Sequence, residues 1–279
     1  LSKQDADLKE NVLHNFSILI ILPCILFLLV FGLIVVSDSS ISILAAAALG
    51  AAVGMSGGSI GITTAHELIH RQNKYMRGIG VLLLVLCCYG HFRIEHVYGH
   101  HKHVATKEDP ATARIGENFY FYFIRCVISS VISSWNIEKN MLQKKNISTF
   151  SLQNRMIHYF ALESLFLCIA YMIAGFNGLV FVLTHSFVSI MLLELVNYIQ
   201  HYGLERKMEN GKYERFTDHH SWNSRHISAN WSTFNLGLHA EHHQSASKHY
   251  PLLSQEEKII EMPANYSVML MMALLPPIW

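Results

Sequence analysis

Four stretches of about 20 residues with almost no charge, at 16–36, 41–62, 157–174 and 178–199, constrain this chain more than any other feature. A helix needs about 20 apolar residues to cross the ~30 Å hydrocarbon core of a bilayer. Segment 16–36 contains Pro23, which predicts a kink. Segment 41–62 is rich in Ala and Gly, and its G-x-x-x-G at Gly50 and Gly54 allows close approach of a second helix. The GFNG sequence at 175–178 reads as a tight turn, so the four stretches make two hairpins. Only 15% of the 279 residues are charged, against roughly 25% in an average soluble domain. The expected fold is an all-α integral membrane protein, one domain over 1–279, built from transmembrane helical hairpins. Shorter apolar runs at 79–89 and 119–132 are too brief or too polar to cross, and are expected as re-entrant or interfacial segments. The run 266–279 ends in PPIW and is expected at the membrane surface, with Trp279 among the headgroups.

Loop charge gives an orientation. The hairpin tips SDSS (37–40) and GFNG carry no Lys or Arg, whereas Arg71, Lys74, Arg77, Lys102, Lys139, Lys144, Lys145, Arg206 and Lys207 lie at the opposite ends. Basic residues concentrate on the cytoplasmic side, so the polar segments are expected there. The first apolar stretch follows a charged N-terminal segment and reads as an anchor rather than a cleaved signal. With a net charge of +1 and no basic stripe, nothing points to nucleic acid as a partner.

Five cysteines, Cys24, Cys87, Cys88, Cys126 and Cys168, sit in or beside apolar runs without a C-x-x-C pair. They read as buried thiols, neither a disulfide framework nor a Cys₄ iron site. The 18 histidines carry more information. HELIH at 66–70 matches the zinc-protease pattern, two histidines one helical turn apart with a glutamate between them. Three further groups complicate that reading: His96, His100 and His101 in EHVYGHH, His201 in NYIQHYGL, and His239, His242 and His243 in LHAEHH. All lie at the cytoplasmic ends of apolar segments. A zinc site takes three or four protein ligands, and nine histidines exceed that. Two ions with four or five imidazoles each would use them, and neutral ligands of this type suit iron that must bind and reduce O₂.

HELIHR, EHVYGHHKHVATKEDPATAR, NYIQHYGL, HSWNS and LHAEHH, in that order, resemble the membrane-bound alkane monooxygenases of the integral-membrane desaturase and hydroxylase superfamily. VATKEDPATAR is the most specific of these motifs. The resemblance implies a cytoplasmic-side, histidine-rich diiron domain in a bacterial inner membrane. It implies two nonhaem irons on His66, His70, His96, His100, His101, His201, His239, His242 and His243, and O₂ as cosubstrate. Rubredoxin or a ferredoxin-type reductase would donate electrons, and hydroxylation would fall on a terminal methyl group of an alkane. The family's usual Glu before the lone histidine is Gln200 here, and its usual LQRHSDHH box carries Gly237, Leu238, Ala240 and Glu241. Six spans are usual against the four counted, and the chain opens on Leu1, so a first hairpin is expected to be missing.

Metal-bound imidazoles donate their second N–H to a carboxylate or carbonyl. Glu67, Glu95, Asp109 and Glu241 are candidates for that role, with Asn197 and Asn230 as amide partners; Asp109, in the EDP turn, is the strongest. His91, His103, His219, His220 and His226 are expected on polar faces or behind the ligands, and His14, His158, His185 and His249 outside the site. Arg71, Lys74, Arg77 and Lys102 are expected to face an acidic electron carrier, and an apolar tunnel between the spans to hold the substrate among membrane lipids. Methyl-aromatic (xylene-type) oxidation and lipid desaturation or fatty-acid hydroxylation are enzyme alternatives. A membrane metal transporter is the non-enzyme alternative, opposed by the presence of only Glu163 and Glu194 as acids inside the spans.

Overall fold

A computed structural model describes residues 12–253 and 259–279. The chain opens with α1 (Val12–Leu19) and α2 (Ile21–Val36), which together run as one apolar rod. Pro23 has no N–H to give the Leu19 carbonyl, and the two helices meet at Ile20, between those residues. Ser42 caps α3 (Ile43–Ser56), its hydroxyl accepting the Ala45 N–H at 3.2 Å. The rod continues through a π-helical turn (Gly57–Ile62) into α4 (Thr63–Ile69). This helix outruns the apolar stretch 41–62 and carries the HELIH residues at its end.

The glycines of this rod form a seam. A Cβ on Gly50 would stand 2.4 Å from the Phe181 carbonyl oxygen, and one on Gly54 2.7 Å from that of His185. The partner is α9 (Arg155–His201), which breaks at Ala174 and Gly175. Gly175 has φ +56° and ψ −140°, a conformation open to glycine. The chain reverses there, since a Cβ on Gly178 would lie 2.2 Å from the Ala170 carbonyl. Leu13–Val36, Ile43–Ile69 and Arg155–His201 are long and apolar enough to cross a membrane. Phe27, Phe31, Ile34, Leu44, Leu165 and Met172 on their outer faces are exposed, as expected of a surface solvated by lipid.

Asn73 caps α5 (Lys74–Leu86), which folds back on α4 with Gly80 against Leu68 and Ala65. A turn at 87–91 leads into α6 (Phe92–Ile94), a second π-helical turn (Glu95–His100) and α7 (His101–His103). The long amphipathic α8 (Phe119–Gln143) extends 11 residues past the apolar run 119–132. Its exposed stripe is Tyr120, Ile124, Ile128 and Ile132, and its buried one is Tyr122, Cys126, Ser130, Ser134 and Glu138. Burial of that polar stripe, and the 2.5 Å pair from Glu138 to Arg155, carry the helix beyond where hydrophobicity ends.

The fold is mostly helical; among the described residues β1 (Met208–Glu209) and β2 (Lys212–Tyr213) depart from an all-α chain, pairing across Asn210–Gly211, and Asn223 and Glu261 form an isolated bridge. Both turn residues have positive φ, 52° and 75°, the signature of an Asn-Gly hairpin turn. The short helices α10 (Ile227–Ser232), α11 (His239–Gln244) and α12 (Tyr266–Ala273) complete the polar side. Trp279 folds back onto Tyr198 and Tyr202, with ring centroids 5.2 and 5.0 Å away.

Candidate metal centre

His66 and His70 lie one turn apart and therefore share one face of the rod end. With His96 of the second π turn and His242 of α11 they form one group, in which a ring nitrogen from each lies within 4.8 Å of the others. His100, His201, His239 and His243 form a second group on the same criterion. His101 Nε2 lies 3.1 Å from Nε2 of both His96 and His242, which joins it to the first group. Nε2 of His239 is likewise 3.1 Å from those of His201 and His243. An imidazole nitrogen binds a first-row ion at about 2.1 Å, so two on one ion at roughly right angles stand about 3 Å apart.

The local backbone explains the sorting. In the π turn the His101 N–H reaches the His96 carbonyl, five residues back rather than four, so His96 and His101 lie on one side, their rings edge to face at 4.7 Å. His100 is thereby turned toward the second group. In α11, His239 and His243 share a face one turn apart, and His242 points the other way. Each adjacent pair, His100–His101 and His242–His243, gives one ring to each group.

The donor set fits two metal ions. His66, His70 and His100 each have a buried Nε2 without a hydrogen-bond partner among the described residues. Burial, and then repulsion among neighbouring imidazoles, holds His96, His101, His239, His242 and His243 well below the usual imidazole pKa. They are neutral at pH 7, the form that binds metal.

Asp109 sits behind His100. Its Oδ2 is 2.9 Å from His100 Nδ1 and accepts the Thr112 hydroxyl at 2.6 Å, while Oδ1 accepts the Ala111 N–H at 3.1 Å. Burial opposes its charge, but the His100 ring and these bonds hold its pKa below the ordinary carboxylate value. The carboxylate accepts the Nδ1–H of His100, which fixes the tautomer and leaves Nε2 for the centre. The other proposed acids have different partners. Glu67 pairs with Arg71 at 2.7 Å and accepts the Tyr250 N–H at 3.3 Å. Glu95 is buried against Gly99 and Ser133, and Glu241 pairs with Lys248. Asn197 donates to Glu194 at 3.2 Å, and Asn230 to the Ser224 carbonyl at 2.9 Å.

Of the outlying histidines, His103 pairs with Glu108 at 2.7 Å and His220 with Glu214 at 3.3 Å. His185 is buried beside Cys87, and His249 meets Arg71. That contact corrects one expectation: Arg71 is buried and committed to Glu67 and His249, so it does not face a partner. Lys74 and Lys102 are exposed.

Sequence reasoning missed what the two acids inside the apolar runs do. Glu163 accepts the Gly90 N–H at 2.7 Å, and Glu194 accepts the Tyr89 hydroxyl at 2.9 Å. Together they pin the turn that delivers the EHVYGHH segment. Cys126 and Asn197 also donate to Glu194, at 3.0 and 3.2 Å, and the Tyr122 hydroxyl lies between Glu194 Oε2 at 3.2 Å and the Ala111 carbonyl at 3.1 Å. A carboxylate inside an apolar run is the signal that could have found them.

Known proteins are similar to this chain in sequence. It is 38% identical over 228 residues to alkane 1-monooxygenase 2 of Pseudomonas aeruginosa, which covers 81% of this chain and 60% of that protein. Identity to the Acinetobacter baylyi alkane 1-monooxygenase is 36% over 251 residues, 90% of this chain and 61% of that protein. The xylene/toluene monooxygenase hydroxylase component of Pseudomonas putida is 28% identical over 219 residues, 78% and 58% of the two chains. The chain thus spans about 60% of the length of these relatives. Residues 41–271, which hold every histidine of both groups, match the fatty acid desaturase family model, and the chain belongs to that family.

Proposed function

We propose that this chain carries the catalytic centre of an O₂-dependent monooxygenase that hydroxylates a terminal methyl group of a hydrophobic substrate, an n-alkane to a primary alcohol. The observation that carries the reading is the division of nine imidazoles, seven buried and those of His70 and His101 half-buried, into groups of five and four, each HH pair split between them. His66, His70, His96, His101 and His242 would hold one iron, and His100, His201, His239 and His243 the other. Carboxylate-free ligation would leave each ion its full charge, and the pairing of Glu67 with Arg71, rather than a Glu67 free as a general base, argues against the zinc-hydrolase use of HELIH.

The bound pair supplies O₂ reduction and an oxidant for an unactivated C–H bond, chemistry that side chains lack. The chain's own residues do the rest. Asp109 fixes the tautomer of His100, and Glu163 and Glu194 fix the turn leading to His96. Aliphatic and aromatic packing excludes water around the imidazoles. A narrow cleft between Thr63, Phe234, Leu236 and Leu253 reaches His66 and His242, a chemically suitable approach for a methyl end group.

Basic residues confined to the histidine end of the rods support a cytoplasmic site in a bacterial inner membrane. Lys74 and Lys102 offer the charge an acidic carrier such as rubredoxin, or a ferredoxin-type reductase, would meet. The test is product analysis by cells expressing the protein with a rubredoxin and its reductase, fed octane and a methyl-substituted benzene. 1-Octanol as the main product is expected. Benzylic alcohol alone moves the substrate to methyl-aromatics, and no oxygenated product from protein holding two irons refutes the reaction.

A further inference from the structure

Basic residues that the histidine site leaves unused gather on one stretch of chain. Residues 139–155 hold Lys139, Lys144, Lys145 and Arg155 and no acid. Arg155 is taken by Glu138, whereas the three lysines are exposed. Large apolar side chains are exposed beside them. Phe150 and Leu152, in the loop between α8 and α9, are each 80% exposed, and Phe121, Ile124, Ile128 and Ile132 lie open along α8. Spacings of three and four keep such residues on one helix face, and Lys139, seven residues after Ile132, continues it. Half-buried Trp135 packs on Phe150, with ring centroids 6.1 Å apart.

The ends of α8 fix where this face lies. Near its C-terminus Glu138 bonds Arg155, two residues before the apolar run 157–174 begins. At its N-terminus the Phe119 ring packs on Tyr198 at 5.7 Å, one residue before the run 178–199 ends. Because α9 reverses at Gly175, Arg155 and Tyr198 belong to the same end of its hairpin. Tied there at both ends, α8 runs along that end of the hairpin and does not pass through the bundle.

We propose that α8 and the loop 144–154 seat anionic phospholipid on the histidine side of the membrane. Phe121, Ile124, Ile128, Ile132, Phe150 and Leu152 lie among the acyl chains, and Lys139, Lys144 and Lys145 hold the headgroup phosphates. A lipid offers hydrocarbon and negative charge at adjacent depths, which is what an apolar helix face bordered by lysines requires. Lysine suits the position, because its aliphatic stem lies on apolar surface while its ammonium reaches the phosphate. A soluble acidic protein would meet the charge but leave a row of large apolar side chains in water. These three lysines therefore serve the leaflet, whereas Lys74 and Lys102 face a carrier.

The seat also braces the metal centre. Arg125 of α8 donates to the Pro110 and Thr112 carbonyls at 3.0 Å each, and the Ser134 hydroxyl to the His91 carbonyl at 3.2 Å. The first two bonds hold the turn that carries Asp109, and the third holds the turn that leads to His96. The proposal is independent of the monooxygenase reading, since its test measures lipid and stability and no turnover.

The test presents the detergent-solubilised full chain with equal amounts of phosphatidylglycerol and phosphatidylcholine and counts retained lipid by native mass spectrometry. Wild type should prefer phosphatidylglycerol. A lysine near an anionic surface contributes about fivefold in affinity, so the triple variant Lys139→Gln, Lys144→Gln, Lys145→Gln should lower that preference by about 100-fold. The corresponding triple arginine variant should keep it, and excess inorganic phosphate should not displace the lipid. Phosphatidylglycerol should also raise the melting temperature of wild type and not that of the glutamine variant. In bilayer discs of the same lipids, a nitroxide on Ile128→Cys, with the exposed Cys24 and Cys168 changed to serine, should collide with dissolved O₂ more than with a water-soluble nickel chelate. Equal retention of the two lipids by wild type, or wild-type preference in the glutamine variant, overturns the seat. A nitroxide reached mainly by the nickel chelate overturns it too, because the stripe then faces water and its lysines are left to an acidic protein. A wild-type melting temperature indifferent to phosphatidylglycerol overturns the bracing of the centre.

Discussion

Asp109→Ala tests how far the second metal group depends on a residue that touches no metal. The substitution removes the acceptor from His100 Nδ1–H, the Ala111 N–H and the Thr112 hydroxyl. Thr112 still accepts the Ala105 N–H at 2.9 Å and can turn its own proton elsewhere, which leaves two orphaned donors. A buried donor without a partner costs about 1–3 kcal/mol, so the loss is about 2–6 kcal/mol if nothing relaxes. A polar groove of about 420 Å³ runs beside Asp109, between Lys107, Arg125, Ser129 and Asn136. Water from it can reach the site and brings the loss toward the lower end. Metal affinity should fall about 10–100-fold, as it does when a ligand loses its carboxylate partner, and only in the group that contains His100. Dialysis against chelators of graded strength, with metal per chain counted by mass spectrometry, reads this directly. One ion should leave where wild type keeps two, and Asp109→Asn, which retains an acceptor oxygen, should fall between. Wild-type resistance in Asp109→Ala, or simultaneous loss of both ions, would refute the reasoning.

Further outcomes follow from the same geometry. His201→Ala removes a ligand from the second group alone, so purified protein should hold about one iron per chain in place of two; two would show His201 is no ligand. Gly50→Val drives side-chain atoms into the Phe181 backbone, which cannot yield, and should lower the detergent melting temperature by the equivalent of about 1–3 kcal/mol or more. Gly78→Ala, with nothing within 4 Å of the added Cβ, should be neutral or stabilising by about 0.5–1 kcal/mol. Equal effects at the two positions would argue against the seam. At Glu138, burial raises the carboxyl pKa, but the bonds from Arg155 outweigh it and hold it below its ordinary value of 4.5. That stabilisation is present above pH 4.5 and lost as pH falls through the lower, folded value. Glu138→Gln should therefore melt earlier than wild type at pH 7 and converge with it in acid; a pH-independent gap would exclude the ion pair as the cause.

Much of the scaffold was legible because bilayer-length apolar runs have few alternatives. The rod Ile43–Ile69 and the reversal at Gly175 are written in hydrophobicity and a GFNG turn. The histidines were legible as a set because imidazoles at i,i+4 announce a shared face. Their division was not. Assigning His100 and His101 to different groups depends on a π turn, one residue wider than the helix the spacing suggests, and nothing in EHVYGHH marks it. The partners of Glu67 and Glu241 were equally hidden, because Arg71 and Lys248 compete for them through tertiary contacts. Asn210–Gly211 was the reverse case, a visible hairpin signal overlooked beside the helical pattern.

The division has a mechanical consequence. Residues of α4 serve only the first group and His201 of α9 only the second, but the π turn and α11 serve both. A shift in either shared element must displace ligands of both ions at once. Asn223 holds the start of α11, where its Oδ1 accepts the Ala240 N–H at 2.9 Å and its amide donates to the Ser221 and Ile260 carbonyls at 2.9 and 3.2 Å. It is 1% exposed, so Asn223→Ala leaves the Ala240 N–H buried and unpaired, at about 1–3 kcal/mol. His242 and His243 ride on that helix together. Both ions should therefore become easier to remove, in parallel along the chelator series, although Asn223 lies in neither group. The contrast with His201→Ala, which should cost one ion, makes the claim specific. If Asn223→Ala loses a single ion while the other keeps wild-type resistance, α11 does not couple the two groups, and each centre must be positioned by its private elements.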